Sequence, residues 1–152
     1  MQKFWIVNQL ENNIAEILLY GYIGEDVISG DFVRELKRLE NVNKKINIRI
    51  NSGGGSIFEG LAIFNAIKNC KAEVIGYIDG IAASMGSVIA MACKKVYMSK
   101  VAMFMTHRAS GMAFGNANDM RTYAQLMETL ESAICSIYAA KTGLTTEQAK
   151  QK

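Results

Sequence analysis

The segment around Ser84 has the residue types of a serine nucleophile. Ala82-x-Ser84-x-Gly86 follows an apolar run that predicts a strand and precedes small apolar residues that predict a helix. This is a variant of the nucleophile elbow, in which small neighbours leave the hydroxyl clear of a tight strand-to-helix turn. The backbone N–H of Met85 would then point to where a tetrahedral oxyanion forms. A serine that only caps a buried helix explains the same residues equally well.

His107 is the only histidine of the chain, and it follows a predicted strand in the sequence Met105-Thr106-His107-Arg108. An imidazole is the usual general base near neutral pH, so a reaction that needs such a base has one candidate here. A structural role is the more common one for a lone histidine. The position at a strand end favours catalysis, because catalytic groups of parallel α/β sheets gather at the carboxyl ends of the strands.

A glycine-rich loop, Asn51 to Ser56 (NSGGGS), lies between a predicted strand and a predicted helix. Its glycines can expose backbone N–H groups at a helix N-terminus, which favours an anion or a developing oxyanion. A plain strand-to-helix turn is the alternative. A P-loop is disfavoured because no Gly-Lys-Ser/Thr follows, and a dinucleotide fingerprint is incomplete because its third glycine would fall at Phe58.

Strand and helix patterns alternate along the chain, which predicts an α/β fold of repeated β-α-β units with a mostly parallel sheet. Taken together, the three motifs then propose a serine hydrolase with an oxyanion loop, a nucleophile and a base in that chain order. The predicted strands are Ala15–Ile23, Ile46–Asn51, Glu73–Ile78, Lys95–Met98 and Ala102–Thr106, and the predicted helices are Gly30–Leu39, Ile57–Asn69, Ala82–Cys93 and Asn118–Lys141.

Length and composition bound the remaining possibilities. The 152 residues suit a single domain, and 50% hydrophobic with 20% charged residues is typical of a globular protein. A formal charge of +3 without a dense basic block argues against nucleic acid as a partner. The longest nearly uncharged run, Gly80 to Cys93, is too short to cross a membrane. Three cysteines without CxxC spacing and one histidine predict no metal site, no cofactor and a reducing, cytoplasmic setting.

Three motifs, INSGGGS, GIAASMGS and MTHRASG…GNANDM, resemble the Clp-type serine peptidases, which are the caseinolytic protease proteolytic subunits. The resemblance is greatest to phage-encoded or prophage-encoded relatives that act in head maturation, and it runs from Glu16 to the last residue. It implies a Clp/crotonase-like fold with a long C-terminal handle helix. Each motif is weak alone, but the combination is specific.

The resemblance also implies a role for each matching residue. Ser84 matches the nucleophile and His107 the general base of the family. Gly55 and Met85 match the residues whose backbone N–H groups form the oxyanion hole. Gly54 matches the first of the two glycines in the family's loop pattern, and it is expected to contact the substrate.

Two departures from the family pattern affect the expected site. Gly53 replaces a proline, which frees one φ angle without removing an N–H donor. The acidic residue of the triad is expected a few residues beyond Lys152, so we expect a longer natural chain. Without that acid, His107 loses the partner that orients it. Asp79 and Asp119 match no catalytic position, and Asp119 is expected to cap the long helix.

The segment after the histidine resembles the handle by which two heptameric rings pack face to face. The resemblance implies a strand over Ala109–Ala117 and a helix over Met120–Lys141. Independent support comes from apolar residues that recur every three or four positions along that helix. A helix packed on its own sheet is the alternative. The apolar positions are Met120, Tyr123, Met127, Leu130, Ile134 and Ile137.

The sequence therefore predicts a Clp-type serine endopeptidase that forms homo-oligomeric rings and cuts polypeptides in phage or prophage protein processing. About 14 residues precede the first predicted strand, which leaves little chain for an axial loop that binds an ATPase unfoldase. The short segment argues against an ATPase partner, and both an ATP-independent and an ATPase-assisted peptidase stay open. The alternatives are a crotonase-like acyl-CoA enzyme, which would not need the Ser84/His107 pair, and a catalytically silent ring subunit.

Overall fold

The computed structural model describes residues 7–10 and 13–150 of the chain. They divide after Met105 into two compact units, the second of which begins at Thr106. None of the helices in the described ranges is both long enough and apolar enough to cross a membrane.

The first unit is built on a sheet that, among the described residues, has six strands. The order is β1-β2-β3-β4-β5, with β6 paired to the last residues of β4. Only β1 is antiparallel to its neighbour, so the predicted mostly parallel α/β sheet is confirmed. The strands are β1 (Val7–Leu10), β2 (Ile14–Tyr20), β3 (Lys45–Ser52), β4 (Glu73–Ala83), β5 (Lys95–Met98) and β6 (Met103–Met105).

Three helices connect these strands: α1 (Ser29–Glu40), α2 (Ile57–Lys68) and α3 (Met85–Ala92). Helix α1 buries Phe32, Leu36 and Leu39, whose spacing of four and three places them on one face. Strand β3 alternates half-buried and buried residues, with Ile46, Ile48 and Ile50 fully covered. Burying an isoleucine contributes about 1.5–3 kcal/mol, so this alternation fixes the face of the sheet that meets the core.

The first strand begins earlier than expected. Residues Val7–Leu10 pair antiparallel with Ile14–Ile17, and Asn13, directly before β2, has a positive φ. The expectation that about 14 residues precede the first strand is therefore wrong. A four-residue edge strand is too short for its periodicity to stand out, and it forms because β2 offers a pairing edge.

Strand β4 continues well beyond the predicted end at Ile78. Its parallel register with β3 runs to Ile50↔Ile78 and resumes at Ser52↔Ala82, so β4 holds two extra residues in a bulge. The side-chain oxygen of Asn51 accepts the Ile81 N–H at 3.3 Å inside this bulge. The predicted helix start at Ala82 is therefore wrong, because Ala82 and Ala83 pair with β3 and β6 and α3 begins at Met85.

The second unit contains the helices α4 (Ala117–Thr142) and α5 (Thr146–Lys150). Helix α4 has 26 residues and is about 39 Å long. Its first turn is closed by a capping box between Asn116 and Asp119, which confirms the predicted cap. The strand implied over Ala109–Ala117 is not formed, since residues 106–114 of the described chain lack regular secondary structure.

Candidate active site

Ser84 lies between the last residue of β4 and the first residue of α3, in a backbone conformation with φ 51° and ψ −123°. Residues other than glycine rarely adopt this backbone conformation, which costs on the order of 1–3 kcal/mol. Hydrogen bonds hold it on both sides. The Ser84 N–H donates to the Met105 carbonyl at 2.9 Å, and the Ser84 carbonyl accepts the N–H (3.0 Å) and hydroxyl (2.6 Å) of Ser87.

The Ser84 side chain does not cap α3. Within the described residues its hydroxyl makes no hydrogen bond, and the residue is half-buried. Ser84 thus occupies the N-cap position of α3 without the side-chain hydrogen bond that the capping alternative requires. What remains is a strained strand-to-helix turn that leaves a serine hydroxyl uncommitted, the arrangement of a nucleophile elbow.

The glycine loop lies directly against this turn. Gly54 has φ +107°, and a Cβ atom placed on it would lie 2.6 Å from the Ser84 Cβ and 3.1 Å from its Oγ. Only glycine allows both this φ and this approach. The structure therefore brings together the loop and the serine, which are 30 residues apart in the sequence.

Gly55 also has a positive φ, +144°, and any Cβ on it would overlap the carbonyl oxygen of Ile23. The Ile23 N–H donates to the Gly54 carbonyl, and the Ile23 carbonyl accepts the Ser56 N–H, both at 2.8 Å. Ile23 thus holds the loop in an extended shape. Sequence patterns do not indicate this role, because Ile23 is far away in the chain and carries no catalytic side chain.

Ser52 is a second residue that the sequence analysis missed. It is buried, its hydroxyl donates to the Gly21 carbonyl at 2.7 Å, and it accepts the Gly54 N–H at 3.2 Å. The hydrogen bond between Ser52 and Gly54 fixes the loop directly after β3 and joins residues two positions apart. The Asn-Ser-Gly sequence was therefore the signal from which this contact could have been predicted.

Two backbone N–H groups at the site have no hydrogen-bond acceptor in the described part of the chain, those of Gly55 and Met85. The Met85 side chain is 2% exposed and lies against Gly60, where a Cβ would overlap its Cε. Gly86 has a similar function, because a Cβ on it would come within 3.1 Å of the Ser52 carbonyl. The small residues around the serine therefore allow α3 to start close to β3 and α2.

Gly53, at the family's proline position, differs from the two glycines after it. It is exposed, its φ is not positive, and nothing lies within 4 Å of a Cβ placed on it. Neither space nor backbone conformation requires glycine there. In this loop, Gly54 and Gly55 are the residues whose positive φ and close contacts require glycine.

His107 belongs to the second unit and is exposed. Its Nδ1 lies 2.7 Å from the carbonyl oxygen of Arg108. A carbonyl oxygen can only accept, so Nδ1 carries the hydrogen, and in the neutral form of the ring Nε2 has the lone pair. Ser84 belongs to the first unit, and its pairing with His107 stays a prediction.

Arg108 forms a two-point ion pair with Glu131 of α4. Arg108 Nε lies 2.6 Å from Glu131 Oε1, and Nη2 lies 3.3 Å from Oε2. The hydrogen bond from Arg108 holds the pKa of Glu131 below its ordinary value. The Glu131 carboxylate therefore stays charged across the neutral range.

Asp79, which matches no catalytic position, is held in a polar cluster on the sheet. It accepts the Tyr20 hydroxyl at 2.6 Å and Arg49 Nε at 2.7 Å, and it also contacts Arg49 Nη2. Burial by itself would raise the pKa of Asp79, but the hydrogen bonds from Arg49 and Tyr20 outweigh it and lower the pKa. Both of these bonds stabilise the carboxylate form.

Comparison with known proteins gives a match to a family and a match to a solved structure. The sequence model described as Clp protease matches residues 2–152. Among solved structures, a single-residue mutant of ClpP1 from Listeria monocytogenes is similar, with a TM-score of 0.80 and 27% sequence identity. That similarity covers 90% of this chain and 77% of the other. Since the sequence match extends over nearly the whole chain and the fold agrees with it, this chain belongs to the Clp protease family.

Proposed function

We propose that this Clp-type peptidase is a serine endopeptidase in which Ser84 is the nucleophile and His107 the general base. One observation carries the proposal: Ser84 is held in a strained turn that its hydroxyl does nothing to stabilise. A serine with a purely structural role would be expected to use its hydroxyl as a cap. Strain without local benefit is typical of functional positions.

The proposed reaction begins when Ser84 Oγ bonds to the carbonyl carbon of a peptide and its proton passes to His107 Nε2. The N–H groups of Gly55 and Met85 then donate to the developing oxyanion, and their lack of another acceptor supports this role. His107 returns the proton to the leaving amine as the C–N bond breaks. Water then hydrolyses the acyl ester by the same route in reverse. Gly54 is proposed to contact the substrate beside Ser84.

A fluorophosphonate probe tests the nucleophile directly, because it reacts with activated serines. The wild-type chain should be labelled at Ser84, the Ser84→Ala variant should not be labelled, and the Ser99→Ala variant should be labelled like wild type. Ser99 is a suitable control because it is exposed in the loop between β5 and β6. An unlabelled wild-type protein would favour the silent ring subunit instead and would overturn the proposal.

We also propose a homo-oligomeric ring, with seven-fold symmetry and double rings by resemblance to the family. Large apolar side chains near α4 support it, since Met112 is 81%, Phe114 83% and Met120 51% exposed. Soluble monomers rarely leave such residues exposed together. The handle helix, α4, is proposed to lie at the contact between rings.

The proposed substrates are head or scaffold proteins of a phage or prophage, supported by the motif resemblance. Membership of the Clp family disfavours the acyl-CoA alternative. A reducing, cytoplasmic setting is supported by Cys70, Cys93 and Cys135, which form no disulfide within the described residues. Mass spectrometry of head proteins incubated with the enzyme tests the substrate class. Fragments should form with wild type and not with Ser84→Ala, and intact head proteins beside an active peptidase would exclude these substrates.

A further inference from the structure

The His107 segment, residues 106–116, is the part of the second unit that carries the proposed base. It contains neither helix nor strand within the described chain, so no backbone ladder holds His107 in place. The segment ends at Asn116, whose side chain caps α4. Contacts with the side of that helix also support the segment.

Two such contacts define the path of the segment. Gly111 lies against Tyr123, because a Cβ on Gly111 would overlap the tyrosine hydroxyl, and Arg108 pairs with Glu131. From Tyr123 to Glu131 the helix rises about 12 Å. From Gly111 back to Arg108 an extended chain spans about 10 Å. The similar lengths indicate an extended segment that runs antiparallel along α4.

The Arg108–Glu131 pair differs from the other exposed arginine pairs of this chain. Arg34–Asp31 and Arg38–Glu35 join neighbouring turns of α1, whereas Arg108–Glu131 joins residues 23 positions apart. The Glu131 side chain is only 17% exposed, and the guanidinium meets it with two nitrogens. Two-point geometry fixes orientation as well as distance. The pair therefore restrains the arginine residue next to His107.

We infer that Arg108 and Glu131 are positioning residues for His107. In the described chain the ion pair holds the Arg108 main chain, and the Arg108 carbonyl accepts the Nδ1–H of His107. Together they favour the same tautomer that the expected triad acid would favour, in which Nε2 can take a proton. The inference rests on the proposed role of His107 as the base. In serine hydrolases with a triad, the wrong histidine tautomer costs orders of magnitude in rate.

The ring tautomer can be measured without reference to activity, because the chain has a single histidine. Nitrogen-15 NMR of the labelled wild-type protein, at a pH where the ring is neutral, should show hydrogen on Nδ1 and not on Nε2. In Arg108→Ala and in Glu131→Gln, the signal should shift towards a mixture of the two tautomers. Arg34→Ala, which removes an exposed pair on α1, should leave the signal unchanged.

Kinetics provide the second measurement. Arg108→Ala and Glu131→Gln should each lower kcat by roughly tenfold to hundredfold with little change in KM, since positioning of the base is lost and substrate binding is not. The charge-swapped double variant Arg108→Glu with Glu131→Arg should recover most of the loss. Light scattering should give the wild-type particle mass for each variant. Arg108 is 79% exposed, so its alanine variant is expected to fold even if a change at Glu131 does not.

Two results would overturn the inference: a wild-type ring with hydrogen on Nε2, or variants with an unchanged tautomer and unchanged kcat. Neither result would bear on the assignment of Ser84 as the nucleophile, which the fluorophosphonate probe tests separately. Conversely, a protein that the probe fails to label can still show the Nδ1–H tautomer and its dependence on Arg108. Failure of the inference and failure of the proposed function are thus distinguishable.

Discussion

Gly53 and Gly54 are adjacent in the chain, but the structure makes different demands on them. Gly54 combines a φ of +107° with direct contact against Ser84, whereas Gly53 has open space around it. A methyl group at position 54 would both strain the backbone and press on the serine side chain. The same methyl group at position 53 would only restrict the unfolded chain.

Gly54→Ala should therefore abolish most peptidase activity and lower the free energy of unfolding by about 1–3 kcal/mol. Its matched control, Gly53→Ala, should keep its activity and raise the free energy of unfolding by about 0.4–1 kcal/mol. A peptidase assay and urea unfolding measure both quantities. Equal activity of the two variants would contradict the placement of Gly54 beside the nucleophile.

Asp79 makes the stability of the first unit depend on pH. Its pKa is lowered in the folded state, so the unfolded chain takes up the proton first as pH falls. The stabilisation is fully present above the unfolded pKa of about 3.9 and is lost as pH falls through the lower, folded value. Asp79→Asn should therefore destabilise the protein at pH 7 and flatten the acid side of its stability curve.

Thermal unfolding between pH 7 and pH 2 measures this effect. Asp31→Asn is the control, because the ion pair that Asp31 makes within the described ranges is with exposed Arg34 on α1, and such pairs contribute little. If the stability of the two variants fell in the same way at acid pH, the cluster of Asp79, Arg49 and Tyr20 would not be a source of acid sensitivity.

At the scale of elements, the junction between β4 and α3 depends on close packing against α2. Gly60 of α2 leaves room for the buried Met85 side chain, whose Cβ and Cγ would lie 3.2 Å and 3.3 Å from a Cβ on that glycine. Met85 is the first residue of α3 and follows Ser84 directly. A displacement of Met85 would move the turn that holds the serine.

Gly60→Ala should accordingly destabilise the protein by about 1–3 kcal/mol through overpacking, less the gain of up to about 1 kcal/mol in helix propensity. It should also lower kcat. Gly30→Ala in α1 is the control, because a Cβ there meets only the Arg34 side chain at 3.8 Å, and this variant should be slightly stabilised. Urea unfolding with a parallel activity assay compares them. If both variants were stabilised, the Met85 side chain would have moved aside with no loss in the free energy of unfolding.

At the scale of the whole molecule, the exposed apolar side chains argue for assembly. Wild-type protein should scatter light as a particle several times the monomer mass. Replacing Met112 and Phe114 by glutamate places charge on the most exposed apolar side chains next to α4, and it should lower that mass and the activity together. Charge in an apolar contact is costly to bury, which is the physical reason.

Val42→Glu is the control for this change, because Val42 is 61% exposed at the end of α1. It should leave the particle mass and the activity as in wild type. A stable, fully active wild-type monomer would contradict the assembly proposal, since it would mean that these side chains need no partner.

Local patterns in the sequence were enough to determine most elements of this protein. Alternation predicted β3, apolar spacing predicted α1 and α2 within two residues, and Asn116 with Asp119 marked the start of α4. These features rest on contacts within a few residues, so they are readable from the chain alone. The motifs around Ser84 and His107 also identified the family that the comparisons show.

Only the tertiary structure decided how the site is built. The extension of β4 to Ala83 depends on Asn51 and on β6, and the strained, uncapped state of Ser84 depends on its bond to Met105. The approach of Gly54 to Ser84 likewise joins residues 30 positions apart. Such contacts leave no periodic trace in the sequence, because the partners come together only after the sheet has formed. Residue types thus indicated which chemistry was available, and long-range packing determined the geometry in which each group is held.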